Sequence, residues 1–502
     1  MDNFFFHAKR QDLNVKTRGT HTCKLGHQID SGQSLKPDGI FARWVWDGAR
    51  LVVENDRYGF FPIFYYCKDG EIGVSPSIYR LIKEGAPTEL DEAGLAVFLR
   101  LGFFIGEDTP YRYIRALPPN STLEWDGTVK LESGGYTLGK LGFAISRDEA
   151  IDNYIGLFRQ SIQRRLPPSM HFALPLSGGK DSRHILLELL HQGQRPECCV
   201  TIKYYPPRSN EDAEVAAKIT HELGLPHVLL DQKESWFKAE YKKNLATNLC
   251  ADEHAWYLGA SDYLSKNFKV VYDGIAGDVL SAGLFVTAKR LELFQAGHTE
   301  DIAIDLFQSQ NEAVLCALLT PAIYARLGRE LAITHLQPEI EKHLGSPNPV
   351  GSFFFWNRTR REIALIPYGL LGSLPTVFSP YLDHDLFDFL TSLPVAMLAD
   401  HTFHTDTLLR AYPQYSHIPY QGQLVPQGES QDRNVHLLLN AQFGRDFAKY
   451  LLFNKPSGMM RNSFLFPRLL ASLASRKFSA SAVWYAPLAL YLHQLESLSQ
   501  HQ

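Results

Sequence analysis

The order of apolar and polar residues divides the chain into three stretches. Up to about residue 140, short aromatic and β-branched runs are separated by turn residues. Leu51-Val52-Val53 and Pro62-Ile63-Phe64-Tyr65-Tyr66-Cys67 predict strands, and Lys68-Asp69-Gly70 predicts a hairpin turn. One helix interrupts them, starting near Asp91 with Leu95, Phe98 and Leu99 on one face. A new pattern begins at Ser146-Arg147-Asp148-Glu149, which spells a capping box. Ile151, Ile155, Phe158 and Ile162 follow at helical spacing, and Pro167-Pro168 ends that helix. Strands then alternate with helices. The strands are Phe172–Leu176, Cys199–Ile202, His227–Leu230 and Lys269–Tyr272. The clearest helices carry Ile185, Leu186, Leu189 and Leu190, and then Val215, Ile219 and Leu223 with Gly224 closing the turn. This alternation predicts a doubly wound, mostly parallel sheet with helices on both faces. Beyond about residue 285 the pattern is mainly helical, with no internal repeat. The expected division is 1–140 and 141–502.

Composition changes this picture little. The chain has 502 residues, enough for about two to four domains. A hydrophobic share of 45% with 21% charged residues is ordinary for a soluble globular protein. Fifty Lys+Arg against 54 Asp+Glu give no electrostatic reason for general nucleic-acid binding. The six cysteines form no C-x-x-C pair, which argues against zinc or iron–sulfur ligation and suits a reducing cytoplasm. The three consecutive phenylalanines near Met1 are too few for a signal-peptide core, and no apolar run approaches the ~18 residues of a membrane helix. A cytoplasmic protein is expected.

The candidate chemistry sits at Ser177-Gly178-Gly179-Lys180-Asp181-Ser182, between a predicted strand and a predicted helix. A glycine turn at a helix N-terminus exposes unpaired N–H groups and the positive end of the helix dipole, which suits phosphate. Ser177 and Ser182 add hydroxyl donors. Asp181 would repel phosphate, so it is expected to hold Mg²⁺. About ninety residues later, Tyr272-Asp273-Gly274-Ile275-Ala276-Gly277-Asp278 closes another strand with a glycine loop. In an open parallel sheet both loops fall at the carboxyl ends of the strands, so Asp181 and Asp278 would share one metal. The pattern predicts an ATP user that releases pyrophosphate.

With these segments in view, the chain resembles the glutamine-dependent asparagine synthetase family, which includes β-lactam synthetases and lasso-peptide cyclases. Ser177–Ser182 matches its S-G-G-x-D-S loop, and Gly274–Asp278 its second loop. Asp56–Tyr66 resembles its D-R-x-G-x-x-P-L-Y-Y segment, Leu117–Asn120 its lPPG turn, and Ser379–Asp383 with Ser392–Pro394 its P-F-L-D region. The resemblance implies an α+β, β-rich Ntn-glutaminase-like N-terminal domain. An α/β ATP-pyrophosphatase domain would follow. It implies ATP and Mg²⁺, adenylation of a carboxylate, and transfer of the acyl group to ammonia or an amine. Leu176, Ser177, Gly178, Gly179, Lys180, Asp181, Ser182, Ile202, Glu211 and Gly274 would contact the nucleotide. Glu211 reads equally well as the cap of its helix. Lys180, and Lys455 in Asn454-Lys455-Pro456, would stabilise charge in the reaction.

Two departures matter. Asp2 stands where the family's N-terminal nucleophile Cys follows Met, and Cys23 is internal, so a degenerate glutaminase is expected. Ile275 stands where asparagine synthetases carry Glu and β-lactam synthetases Tyr, and it cannot move protons. Glu253 and His254 are candidate replacements, although a charged cluster at a helix start also serves as a cap. Arg358, Arg360 and Arg361 read mainly as helix-surface salt bridges, with phosphate or carboxylate binding as the alternative. The expected protein is an amide-forming ligase of a specialised biosynthetic pathway, acting on small molecules or on a peptide, or receiving nitrogen from a partner amidotransferase. A lasso-peptide or β-lactam-type cyclase, a tRNA-modifying pyrophosphatase and a nonenzymatic ATP scaffold are the competing readings.

Overall fold

The computed structural model describes all residues except 1–3, 12–13, 30–36, 141–144, 206–208, 308, 424–441, 448, 452, 455–456, 473–475 and 501–502. Asp2 and Lys455 therefore lie outside the described residues.

Among the described residues the first stretch forms ten strands: β1 (Phe6–Gln11), β2 (Asn14–Gly19), β3 (Thr22–Ile29), β4 (Asp38–Trp46), β5 (Leu51–Asn55), β6 (Phe64–Lys68), β7 (Glu71–Ser75), β8 (Ile114–Ala116), β9 (Ser121–Trp125) and β10 (Val129–Ser133). They build two antiparallel sheets, in the orders β2-β1-β7-β6-β8 and β10-β9-β5-β4-β3. The sheets meet through buried aromatics, with Phe6 on β1 lying 5.6 Å from Trp46 on β4. Asp69 and Gly70 join β6 to β7 with both φ angles positive, 51° and 73°, the signature of a tight two-residue hairpin. The expected helix is Glu92–Leu101, capped by the Asp91 carboxylate and ended by Gly102 at φ 86°.

The helix Arg147–Arg164 opens the second stretch with the capping box that the sequence spells, Ser146 and Glu149 satisfying each other's N–H groups. Then come β11 (Ala173–Pro175), β12 (Cys198–Ile202), β13 (His227–Leu230), β14 (Val270–Tyr272) and β15 (Thr376–Phe378). They form one parallel sheet in the order β13-β12-β11-β14-β15. Every residue of β12 and β14 is buried, as central parallel strands require. Helices Asp181–His191, Glu211–Glu222 and Leu258–Asn267 pack on these strands. The remainder is mainly helical, as expected, but β15 lies inside it. No helix among the described residues is long and apolar enough to cross a membrane.

Charged side chains weld the two stretches together. Arg165 is fully buried and donates to Asp38 on β4 at 2.5 Å and to Asp383 at 2.7 Å. Burial would raise the Asp383 carboxyl, but Arg165 and Arg164 outweigh it and hold it below the usual range. Arg360 donates to the Leu117 carbonyl at 3.2 Å and Arg361 to the Asp108 carbonyl at 2.5 Å. Both guanidiniums are buried, which corrects their reading as surface salt bridges. His27 on β3 meets Phe378 on β15 edge-on, at 5.2 Å.

Candidate active site

A cavity of about 400 Å³ opens at the carboxyl ends of β11, β12 and β14. Leu176, Ser177, Asp181, Ser182, Ile202, Gly274 and Asp278 line it, so these residues named from the sequence share one space. The backbone N–H of Asp278 donates to Asp181 Oδ2 at 3.1 Å. Two glycines permit this approach. A Cβ on Gly277 would lie 2.6 Å from Asp181 Cγ, and one on Gly274 would lie 2.9 Å from Asp181 Cβ. Between them Ala276 is held at φ 75°, a strained left-handed conformation that costs about 1 kcal/mol or more.

The electrostatics of the site are unbalanced. Burial, and then the Asp278 charge, push Asp181 well above the usual carboxylate range. Burial likewise raises Asp278, and it raises Asp273 to about 6. Among the described residues lining the cavity, Arg358 is the single basic side chain. It extends from a π-helical turn, Phe355–Thr359, and lies 3.4 Å from Glu362 and 3.6 Å from Glu253.

The loop donors are not free as expected. Ser182 Oγ accepts from the Ser177 N–H at 3.2 Å, Ser177 Oγ from the Gly179 N–H at 3.2 Å, and Asp212 Oδ1 from the Gly178 N–H at 2.9 Å. A phosphate would have to take these N–H groups from the loop's own side chains. Asp212 also accepts from the Tyr204 hydroxyl at 3.0 Å. It lines the cavity, whereas its neighbour Glu211 turns to the Gly422 N–H at 2.6 Å. Lys180 reaches the His401 carbonyl at 3.4 Å.

Neither Glu253 nor His254 lines the cavity. Glu253 is exposed beside Arg358. His254 is buried against the Glu362 carbonyl, 3.1 Å from its Nε2, and burial pushes its pKa down to about 3. Residues that the sequence reading passed over stand closer. Asp273 lines the cavity and accepts from the Ile275 N–H at 2.8 Å. Its place directly before Gly274 was the available signal. Tyr257 lines the cavity with a buried hydroxyl that has no hydrogen-bond partner among the described residues. Behind Asp181, His404 Nδ1 lies 3.4 Å from Oδ1, and burial lowers its pKa to about 3, so it stands there neutral. No local motif marks His404.

The donor set suits Mg²⁺. Among the described residues no three His, Cys, Asp or Glu side chains form a ready-made metal cage. Asp181 and Asp278 offer two carboxylates on one side only, the arrangement Mg²⁺ uses when phosphate oxygens and water complete its shell. Two half-buried carboxylates that Arg358 does not bring back to the ordinary range favour such an ion.

Comparison with known proteins bears on residues 24–134 and 154–350. The family model for a glutamine amidotransferase domain matches residues 24–134, and that for asparagine synthase matches residues 154–350. No curated protein matches the sequence. Among solved structures, an NH₃-dependent NAD synthetase from Campylobacter jejuni is 12% identical, with a TM-score of 0.18. That match covers 39% of this chain and 97% of the synthetase, and a likeness so low carries no weight for fold or activity. The two family matches, in this order, make the chain a member of the asparagine synthetase family, with a glutaminase-like N-terminal domain and an ATP-dependent, amide-forming ligase domain.

Proposed function

We propose that this chain adenylates a carboxylate, releases pyrophosphate and transfers the acyl group to ammonia or an amine, without hydrolysing glutamine, in a specialised biosynthetic pathway. The observation that carries the reading is the Asp181–Asp278 pair, half-buried in the cavity lining, with Asp181 raised by burial and by the Asp278 charge, and Asp278 raised by burial. A substrate carboxylate oxygen would attack the α-phosphorus of ATP, and the bond from that phosphorus to the bridging oxygen would break. The amine nitrogen would then attack the acyl carbon, expelling AMP and losing a proton. AMP leaves readily where hydroxide does not.

The chain's own groups support each part. Ser177, Ser182 and the N–H groups of 177–179 would hold the departing pyrophosphate once it displaces Asp212 and the loop hydroxyls. Mg²⁺ held by Asp181 and Asp278 would offset the charge on the phosphate oxygens. Lys180, on the same loop, would add positive charge toward it. Ile275 offers no base, and Asp273, raised to about 6, is the cavity carboxylate suited to accept the amine proton. Loss of glutaminase chemistry is supported by Cys23. It is buried inside β3, burial pushes its thiol up to about 11, and an internal residue has no α-amine to act as base.

ATP–pyrophosphate exchange screened across carboxylates tests the reading. Exchange with at least one acid, dependent on Mg²⁺, is expected. ATP binding without exchange for any acid would leave only a nucleotide-binding scaffold.

A further inference from the structure

Arg183 directly follows the loop 177–182 and is buried, yet among the described residues its guanidinium meets no carboxylate. It donates instead to the Ile418 carbonyl at 2.9 Å and to the Pro419 carbonyl at 2.5 Å, and it lies 3.9 Å from the centre of the Tyr420 ring. The same short segment is fastened at two further points. The Gln421 N–H donates to the Gly178 carbonyl at 3.0 Å, and the Gly422 N–H donates to the Glu211 carboxylate at 2.6 Å. Glu211, expected at the nucleotide, is thus spent on this segment.

The fastening sets one side chain beside the loop. Gln421 is exposed, lines the cavity, and is the one described lining residue beyond Ile366. A Cβ on Gly178 would lie 3.2 Å from Gln421 Cβ, so this side chain starts against the loop itself. Its amide makes no hydrogen bond to a described residue.

We propose that Gln421 donates its side-chain N–H groups to an oxygen of the pyrophosphate held at 177–182, and that Arg183 is the positioning residue that keeps Gln421 there. The proposal rests on the pyrophosphate reading of the loop given above and adds two residues to it. An amide offers two N–H donors, and here, unlike the loop N–H groups, they are not already taken by neighbouring side chains. Arg183 is fitted to its part because one planar fork reaches two successive carbonyls while its face covers the next ring. A lysine in its place could not do both.

Binding of magnesium pyrophosphate and of AMP to the full chain, measured by calorimetry, tests this. Gln421→Ala changes an exposed side chain and should weaken pyrophosphate about tenfold, with AMP held within about threefold. Arg183→Met should weaken pyrophosphate by a similar factor and speed deuterium exchange at the Gln421 and Gly422 amides. Arg183→Lys should recover part of the loss. The double variant should bind no more weakly than the weaker single one, since both changes remove the same contact. A Gln421→Ala affinity within about twofold of the parent, or losses that multiply in the double variant, would overturn the inference and leave the proposed function standing. If Arg183→Met does not fold, the Gln421→Ala result decides. No pyrophosphate binding by the unsubstituted chain would overturn the pyrophosphate reading and this inference with it.

Discussion

The seam between the two stretches and the cavity above the parallel sheet treat buried charge in opposite ways. At the seam the Asp38 and Asp383 carboxylates meet an arginine. Asp38 and Asp383 share Arg165, and Asp383 is held ionised by it. In the cavity Asp181, Asp273 and Asp278 are all pushed toward the neutral form by burial. A paired buried charge contributes to holding the fold and is spent there. An unpaired one destabilises the empty protein and is resolved only by something that binds. The contrast separates structural from functional charge without reference to any relative.

The sharpest way to break the comparison is to neutralise one residue of the cavity pair. Asp278→Asn should reduce Mg²⁺-dependent pyrophosphate exchange by about a thousandfold or more, roughly 4 kcal/mol. It should leave the melting temperature unchanged or higher, because an uncompensated acid is removed. A lower melting temperature would mean that Asp278 is structural. Removing the arginine at the seam should do the reverse. Arg165→Met is expected to cost about 3–5 kcal/mol in urea unfolding, since it strands two buried carboxylates. Adding Asp38→Asn and Asp383→Asn to that variant should restore part of the loss.

Acid unfolding sharpens the same contrast. Glu339 accepts from the Tyr136 hydroxyl at 2.7 Å across the seam. Burial opposes its ionisation, but His343 and Lys342 prevail and lower it to about 2. Its folded value lies below its unfolded one. It therefore contributes stability above pH 4.5, and loses it as the pH falls from 4.5 toward 2. Glu339→Gln should remove roughly 3 kcal/mol of that dependence, seen as a flatter stability profile below pH 4.5. The smallest effect is expected at Cys23. Cys23→Ser should change neither glutamine hydrolysis, absent before and after, nor exchange activity. Measurable glutaminase activity in the unsubstituted chain, lost in this variant, would reverse the reading of the N-terminal domain.

Local signals carried most of the fold to the surface of the sequence. Asp69-Gly70, the Ser146 capping box and the buried runs of β12 and β14 are all decided within a few residues. The nearness of Asp181 and Asp278 was legible because each follows a parallel strand, and such loops must meet at one end of a sheet. What stayed hidden depends on long-range pairing or on a broken period. Thr376–Phe378 is only three residues between prolines, and becomes β15 by pairing with β14 about a hundred residues away. Arg358 stands on a π-helical turn, which shifts side chains off the faces a 3.6-residue period assigns. A helical reading of that segment therefore sends it to the surface. His404 reaches Asp181 only through tertiary packing, and no spacing rule connects them.

The order of strands at β15 has a consequence for anyone who would cut this protein in two. β15 ends the parallel sheet, and β3 of the N-terminal unit lies against it through His27 and Phe378. Arg360 and Arg361 donate hydrogen bonds to carbonyls of the same unit. A ligase fragment expressed alone would carry a bare sheet edge and two guanidiniums stripped of acceptors, and bare edges recruit other edges. The N-terminal unit thus shields its neighbour's sheet edge and supplies acceptors for two of its arginines, whether or not it keeps any chemistry of its own.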